Sequence, residues 1–554
     1  MSPPLVGPTW RHPRAGAVAL AGGAVLGLLA SVTLFALPGR WTVAALGGLL
    51  LVLGALVLPD RRLYGLGLYL GLLLVEWDTG KNLTKDVLDA GQLIDRLGIP
   101  PMNIAAIIIR PSDVVLLCLM VPWVLRILTR RDRLALSSVG YLGVAYLGWA
   151  AFSALVKARY PLLSVMQLVQ EVKSFLFFVY VSNVVTTLGL ARNLRVLLMV
   201  SLVIEGVVAF AGLKFAAARN PLRFLSDPTR GTIEDLPITI EGVETGYRAV
   251  GTFGNFAVTA LYLHFLLPLA LAHWAASRDR MRQWLYLSLF ALGLGTMWIT
   301  YSRAGLISSV VGLAICLLLC RYRRLMSAGL LLAIVYTGVL GGAIISPKIY
   351  NFMTTRPSTL PDRFPIVEKA LTMLADDPLL GVGPNNSTAI KRELFADTVA
   401  DEGSQPIHNH YLVVAVETGL GGFVLFMSAF VLAGVRAFQH SGSSHPDIAA
   451  FGVGIVSTYL TIGIHLQGDA MFSYIVYTML WFYAGLAVAL HRIDRGRRGT
   501  PDAPPASPGG PARRTPPRLS SASAPASGDG SASVPPLGRA REPGAGRSAR
   551  SGPG

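Results

Sequence analysis

The chain alternates long apolar runs with short polar connections over most of its length. The runs are about 17–25 residues long, which is the length that an α-helix needs to cross roughly 30 Å of hydrocarbon. A membrane β-barrel would show shorter segments of alternating polarity. The pattern predicts an all-α, polytopic transmembrane helical bundle of about 12–14 spans. The 14 candidate spans are 15–37, 41–59, 63–77, 113–129, 135–156, 162–187, 192–215, 256–276, 283–300, 304–320, 326–346, 410–438, 448–466 and 469–490.

Arginine residues are concentrated in every second connection between these spans. Short connections rich in Lys and Arg stay on the cytoplasmic side of a membrane. Placing all of the basic connections in the cytoplasm gives one consistent topology, with both termini cytoplasmic. The residues are Arg61 and Arg62; Arg130, Arg131 and Arg133; Arg192 and Arg195; Arg278, Arg280 and Arg282; Arg321, Arg323 and Arg324; and Arg492, Arg495, Arg497 and Arg498.

Composition and charge agree with a membrane protein and argue against other classes. Only 14% of the residues are charged and 53% are hydrophobic, whereas a soluble domain carries nearer a quarter charged residues. A net charge of +17 would suit nucleic acid, but the positive-inside pattern already explains it, so we expect a lipid bilayer and no nucleic acid as partner. Cys118, Cys316 and Cys320 all lie in apolar runs without ligand-spaced neighbours, which predicts no disulfide framework, no metal site and no cofactor.

The same topology places three longer connections outside the cytoplasm, at 78–112, 216–255 and 347–407. The third is too long and too mixed in character for a simple tether. It should contain an amphipathic helix that ends at Asp376 and Asp377, followed by a glycine-rich turn, and should cap the bundle. Residues 493–554 are rich in Pro, Ser, Gly and Arg, which predicts a disordered, basic cytoplasmic tail after a transmembrane domain over 1–492.

Three polar clusters then fall at the outer ends of spans. Arg248 precedes Gly-Thr-Phe-Gly-Asn at 251–255, Arg303 follows Ser302, and His408-Asn409 opens the span from 410. Each lies at a helix N-terminus, where unpaired backbone N–H groups favour anions. With the arginines, these termini would suit a phosphate or diphosphate. An arginine that merely extends to the interface explains either side chain alone, but it does not explain three clusters on one face.

The local pattern at the third cluster resembles the O-antigen ligase and polymerase family. His-Asn at 408–409 is followed, after nine intervening residues, by Gly-Leu-Gly-Gly at 419–422. The motifs at 251–255 and 302–303, and Arg363 with Pro-Leu-Leu-Gly-Val-Gly at 378–383, also resemble that family and occur in its order, over about 240–440. One departure is Asn-Phe-Ala at 255–257, where many members have Asn-Pro-Asn.

The resemblance implies an integral-membrane transferase of the bacterial cytoplasmic (inner) membrane. Such enzymes move a glycan from a polyprenyl (undecaprenyl) diphosphate carrier to an acceptor hydroxyl at the extracytoplasmic face. A ligase uses lipid A–core as acceptor, and a polymerase uses another lipid-linked repeat of O-antigen or exopolysaccharide. No metal is implied, because arginines can neutralise the leaving diphosphate. The resemblance makes His408 the general base, and Arg248, Arg303, Arg363 and Asn409 substrate-binding residues.

Several alternatives stay open from the sequence. A transporter or flippase of lipid-linked glycans would also suit many spans and a basic cavity, although it should show internal repeats. A scaffold acting through the basic tail leaves the outer clusters unexplained. His465 and Asp469 lie near the site in depth, and Gly419 and Gly422 predict a close helix contact.

Charged residues inside the spans should face the protein interior, because they are costly in lipid. Glu171 and Lys173 could form a mutual ion pair, or Lys173 could contact the lipid diphosphate. Glu205 should likewise be enclosed, and Glu417 should pack or form hydrogen bonds.

Overall fold

The computed structural model describes residues 61–74, 110–214, 237–240, 243–320, 359–394, 407–469 and 473–499. The all-α class is confirmed within these ranges, while the predicted spans 15–37, 41–59 and 326–346 and the tail from 500 lie outside them. The described helices are α1 (Arg61–Leu73), α2 (Pro111–Leu128), α3 (Ser138–Lys157), α4 (Pro161–Val184), α5 (Leu188–Lys214), α6 (Phe256–Ala276), α7 (Arg280–Ile299), α8 (Arg303–Leu319), α9 (Thr359–Asp376), α10 (Ser387–Leu394), α11 (His410–Ser441), α12 (Pro446–His465) and α13 (Tyr474–Gly499).

Seven of the described helices are long and apolar enough to cross a membrane, and these are α3, α4, α5, α6, α11, α12 and α13. Helices α1 and α8 contain shorter apolar segments. The chain is therefore a multi-pass membrane protein. Along α2, Leu117 and Leu128 expose 62% and 71% of their surface, as suits side chains that face lipid.

Two features differ from the sequence-based expectation. A short antiparallel hairpin, β1 (Pro237–Ile240) and β2 (Val243–Tyr247), lies in the connection before Arg248. At the other end of the chain, α13 continues to Gly499, past the predicted start of the tail at 493. Asp494 explains this extension, because it is buried and accepts a hydrogen bond of 2.7 Å from the Ser443 hydroxyl.

The centre of the bundle is formed by α6, α12 and α13. Helix α6 is apolar on all sides and buried over most of its length, as expected for a helix surrounded by others. It packs closely on α12, where Gly454 lies so near Leu269 that an added Cβ would be 3.0 Å from it. Helix α13 packs on α4 through stacked rings of Phe177 and Phe482. These contacts fix the relative depth of the helices that carry the polar clusters.

One end of the bundle is held by arginine contacts. Arg192 and Arg195, at the start of α5, both pair with Asp447 at the start of α12. Arg492 donates hydrogen bonds of 2.8 and 2.7 Å to the carbonyls of Ser182 and Ala135. Because α12 runs from Pro446 to His465, this arginine-rich end is opposite to the end at which α12 finishes.

Helix α11 is interrupted at Gly419, whose φ of 67° and ψ of 179° are not helical. The sequence predicted only a close helix contact there. The segment after α9 packs into the break: Leu420 N–H donates to the Pro378 carbonyl at 2.8 Å. A Cβ on Gly419 would lie 2.0 Å from the Leu379 carbonyl oxygen, so both the backbone conformation and the available space require glycine.

The carbonyl groups beside this break find partners outside the helix. Those of Val416 and Glu417 accept from the backbone of Val382 and Gly383, each at 2.9 Å, and that of Thr418 accepts from the Trp149 indole, also at 2.9 Å. Non-helical backbone at membrane depth is stable only when its polar groups are paired within the protein. The outer segment 378–386 is therefore a fixed part of the bundle.

The possible ion pair between Glu171 and Lys173 is wrong. Lys173 pairs with Asp113 of α2 at 2.8 Å, whereas Glu171 accepts hydrogen bonds from Gln167 at 2.8 Å and Tyr146 at 3.2 Å. Residues two apart on a helix point in different directions, so the two side chains cannot meet.

Candidate active site

Three helix N-termini meet around the end of α12. At the start of α11, His410 N–H donates to the Leu466 carbonyl at 3.0 Å. In the third turn of α6, His264 contacts His465 of α12, with 2.8 Å between Nε2 and Nδ1. Ser308, in the second turn of α8, lies 3.2 Å from the same His264 nitrogen. The starts of α6, α8 and α11 are therefore on one side of the molecule, at the end opposite to the arginine contacts.

Each of these helices begins with a side-chain cap. Asn255 accepts from the backbone N–H groups of the first turn of α6, Ser302 from Gly305, and Asn409 from Leu412. Asn and Ser favour this position because a short side-chain oxygen reaches an otherwise unpaired N–H group. The structure thus gives Asn409 the role of a helix cap beside His408.

Arg248 lies immediately before the turn that leads into α6. Its guanidinium is 4.3 Å from the centre of the Phe256 ring, a cation–π contact. The next residue, Ala249, donates its N–H to the carbonyl of Ile299 at 3.0 Å. Since Ile299 ends α7 four residues before Arg303, the backbone segments that carry the two arginines are neighbours. Both arginine side chains are partly exposed.

Glu205 organises the turn after Arg248, and the sequence did not indicate that role. This carboxyl group is fully buried on α5 and accepts from the Thr252 hydroxyl at 2.6 Å, from the Thr252 N–H, and from the Thr259 hydroxyl at 3.2 Å. Gly251 has a φ of 58°, and a Cβ there would collide with the Glu205 carboxylate. The available signal was a glutamate within an apolar span, which predicted burial but did not identify its partners.

Arg363 lies in the first turns of α9. Its side chain is outside the described part of the structure, so its predicted contact with substrate stays a prediction. Arg303 is the first residue of α8, directly after a tight turn at Tyr301, where φ is 51°.

His408 faces the segment that follows α12. Its side chain is 26% exposed, while its Nδ1 atom is buried and lies 3.9 Å from one carboxylate oxygen of Asp469. The second Asp469 oxygen lies 3.8 Å from Nε2 of the fully buried His465. A carboxylate between two imidazoles can orient both rings and stabilise a proton on either. The sequence indicated that His465 and Asp469 were near in depth but assigned them no role.

His410 has different surroundings from His408. It is buried, and its Nε2 is 3.2 Å from the Tyr477 hydroxyl. With Glu171, Glu417 and Gln167, it lines a small polar pocket beneath segment 378–386. Glu417 accepts a hydrogen bond of 2.7 Å from the Ser387 hydroxyl in this region, as expected for a hydrogen-bonding role.

A comparison with known protein families matches residues 288–427 to the family described as O-antigen ligase. The chain carries an O-antigen ligase domain. This confirms the resemblance that the motifs indicated. The match begins in α7 and ends within α11, so the O-antigen ligase domain includes Arg303, Arg363, His408 and Asn409. Arg248, His465 and Asp469 lie outside the matched residues, in the flanking parts of the chain.

A search of curated proteins found no match. Across the residues that the structure describes, no group of three or more His, Cys, Asp or Glu side chains is arranged to hold a metal ion. The O-antigen ligase domain makes the protein a membrane glycan-processing protein of the ligase or polymerase type.

Proposed function

We propose that this protein transfers a glycan from a polyprenyl (undecaprenyl) diphosphate carrier to an acceptor hydroxyl. The observation that carries the proposal is the meeting of three capped helix N-termini beside His408 and Asp469. Arg248 and Arg303 belong to the same end of the bundle. The candidate base and the candidate anion-binding groups thus occur together at one end of the bundle.

The donor diphosphate would bind at the N-termini of α6 and α8. Unpaired N–H groups and the positive end of a helix dipole stabilise an anion. The guanidinium groups of Arg248 and Arg303 add charge-assisted hydrogen bonds, and Arg363 is a third candidate from α9. These groups would stabilise the charge that develops on the diphosphate as the sugar leaves.

His408 would act as the general base. The acceptor oxygen attacks the anomeric carbon, its proton passes to His408, and the bond between that carbon and the diphosphate oxygen breaks. The carrier then leaves as polyprenyl diphosphate. Asp469 would hold His408 through Nδ1 and stabilise the imidazolium. The distance of 3.9 Å is longer than a hydrogen bond, but contacts of this kind often shorten when substrate binds.

The orientation follows from the arginines at the opposite end. If Arg192, Arg195 and Arg492 are cytoplasmic, as the positive-inside rule favours, the site is extracytoplasmic. We infer from the same rule that both termini are cytoplasmic, and from the family resemblance that the membrane is the bacterial inner membrane.

A transporter of lipid-linked glycans is the second candidate, because the break in α11 is a feature of transporters. In transporters, however, the freed backbone groups commonly bind the substrate or its coupling ion. Here the carbonyls beside Gly419 bind segment 378–386 and Trp149. This arrangement favours the transferase.

The test is glycan transfer in vesicles from a polyprenyl-diphosphate-linked repeat, with EDTA present. Wild type is compared with His408→Ala and Arg303→Ala. We expect transfer in EDTA to persist in wild type and to fall by roughly 10²–10⁴-fold in His408→Ala, the usual contribution of a general base. Product length separates a polymer from a single ligation.

Normal transfer by inserted His408→Ala would remove the base assignment. Movement of lipid-linked glycan between leaflets without transfer would favour the transporter. Loss of transfer in EDTA, restored by a divalent cation, would show that the reaction needs a metal.

A further inference from the structure

A row of polar side chains extends from His408 into the centre of the bundle. It runs through Asp469 to His465 on α12, then to His264 on α6, and ends at Ser308 and Ser309 on α8. His264 and His465 are fully buried, as are both serines. Buried imidazoles are costly unless they are hydrogen-bonded, and packing alone would be better served by apolar side chains at these positions.

The hydrogen-bond donors along this row can be assigned from its inner end. The Ser308 hydroxyl donates its single hydrogen to the Ala304 carbonyl. Its oxygen can therefore only accept from His264 Nε2, 3.2 Å away. We therefore assign the His264 proton to Nε2, where the N–H is shared between Ser308 Oγ and His465 Nδ1, the latter at 2.8 Å. The remaining nitrogen, His264 Nδ1, accepts from Ser309 at 3.5 Å.

The protonation of His465 follows from that of His264. Because His465 Nδ1 accepts, a neutral His465 carries its proton on Nε2. That atom is buried, has no hydrogen-bond partner among the described residues, and faces Asp469 at 3.8 Å. The second Asp469 oxygen faces the buried His408 Nδ1 at 3.9 Å. The N–H donors of His264 and His465 thus both point along the row toward the carboxylate.

We propose that His264 and His465 are positioning residues that fix the tautomer of His408 through Asp469. His465 Nε2–H lies 3.8 Å from one carboxylate oxygen and would hold it once the contact shortens on substrate binding, which aims the other oxygen at His408 Nδ1–H. His408 Nε2 is then left without a proton and can accept one from the acceptor hydroxyl. The inference rests on the proposed function, because it concerns how His408 is prepared to act as base.

The row also connects α6, α8 and α12 through polar contacts, which apolar packing of these helices would not require. Ser308 follows Arg303 on α8, and His264 follows Arg248 and the turn at 251–253. The helices that present the anion-binding arginines are therefore the same helices that hold the row leading to the base. The depth of α8 relative to α6 would be set in part by the contact between Ser308 and His264.

The first test is kinetic and compares His264→Leu and His465→Leu with wild type in the vesicle assay. Leucine is close to histidine in size and removes both ring nitrogens. We expect kcat to fall tenfold or more, with KM for the lipid-linked donor changed by less than twofold. His465→Gln retains a donor toward Asp469, and we expect it to recover at least a third of the wild-type kcat.

His273→Leu is the matched control. His273 lies on α6, as His264 does, and is also buried. Its Nδ1 is 2.9 Å from the Leu269 carbonyl of the same helix. It lies toward the arginine-rich end and outside the row. We expect its kcat to stay within twofold of wild type. Wild-type kcat in both row variants, or an equal loss in His273→Leu, would overturn the proposal.

The second test uses the unmodified protein, so it does not depend on whether a variant folds. The chain has nine histidines, few enough for ¹⁵N spectra of histidine-labelled protein in bilayers. We expect His264 and His465 to be protonated on Nε2 and His408 on Nδ1. Protonation of His408 on Nε2 would overturn the inference.

The positioning role of His264 and His465 can be disproved while the transferase function stands. If His408→Ala is inactive while the leucine variants are fully active, the positioning role is lost and the transferase stands. If His408→Ala is fully active, the base assignment and the positioning role are both lost.

Discussion

Helix α11 has one polar region at its break and another just before its start, and the two are built in opposite ways. At Gly419, the break exposes backbone groups, and each carbonyl beside it is paired at 2.9 Å with segment 378–386 or Trp149. At His408, two buried imidazole nitrogens face Asp469 at 3.9 and 3.8 Å without a hydrogen bond to any described residue. Within the described part of the chain, the hydrogen bonding of the first region is complete, whereas these two nitrogens of the second region have no partner.

Under the proposed function, the difference separates structural polar groups from reactive ones. A fully paired break holds the outer segment against the bundle but offers nothing to a substrate. A histidine that has a carboxylate nearby, while part of its ring is exposed, can take up a proton. Polar groups that lack hydrogen-bond partners within the protein are expected where a protein acts on a ligand. Substitutions in the two regions should therefore affect different quantities.

The largest effect on stability is expected from Gly419→Ala. Alanine is strained at this φ and ψ, and its Cβ would overlap the Leu379 carbonyl. We expect a loss of about 3 kcal/mol in the free energy of unfolding, from backbone strain and overpacking together. Thermal unfolding in detergent measures it. Gly434→Ala is the control, because its Cβ would meet only a ring carbon of Tyr459 at 3.8 Å. Equal melting temperatures for the two variants would mean that the break is not structurally required.

The next largest effect, and one on activity alone, is expected from Asp469→Asn. The amide keeps the size of the side chain but weakens its hold on His408. We expect kcat to fall roughly tenfold to a hundredfold, equivalent to about 1.4–2.7 kcal/mol, the usual value of a hydrogen bond to a charged group. Asp132→Asn, in the exposed pair with Arg126, should leave transfer unchanged. A large drop in melting temperature for Asp469→Asn would instead make Asp469 a structural residue like those at Gly419.

A smaller effect is expected from Thr252→Val, which should change both stability and donor binding. The substitution removes the hydroxyl that donates to Glu205 at 2.6 Å and leaves a buried carboxyl group with one donor fewer. We expect a loss of about 1–2 kcal/mol in stability and a severalfold rise in KM for the donor, because the turn positions Arg248. Thr372→Val, on the exposed face of α9, is the control. If KM is unchanged while stability falls, the turn would not contribute to donor binding.

The smallest effect is expected from Arg192→Gln at the opposite end. Arg192 is 45% exposed, and Asp447 keeps its second partner, Arg195, at 2.8 Å. Exposed ion pairs contribute about 0–1 kcal/mol, so we expect a change of less than 1 kcal/mol in stability and normal transfer. A marked loss of transfer would show that the arginine-rich end is coupled to the site.

The sequence determined the features that depend on local pattern. Eleven of the 14 predicted spans fall where helices are described, because a run of apolar residues long enough to cross a bilayer has few alternatives to a helix. The starts of α6, α8 and α11 were also predicted to within one residue, at 256, 304 and 410, because Asn and Ser caps and the following apolar residues are consecutive in the chain. The resemblance rested on the same short motifs.

Only the tertiary structure decided which distant residues meet. Asp469 lies 61 residues after His408, and nothing in the spacing indicates that the end of α12 folds against the start of α11. The sequence also did not predict that Glu205 pairs with Thr252, or that Lys173 pairs with Asp113 and not with Glu171. Partners on different helices depend on how those helices rotate and pack. The break at Gly419 required the structure for the same reason: a glycine is needed there because segment 378–386 lies against it.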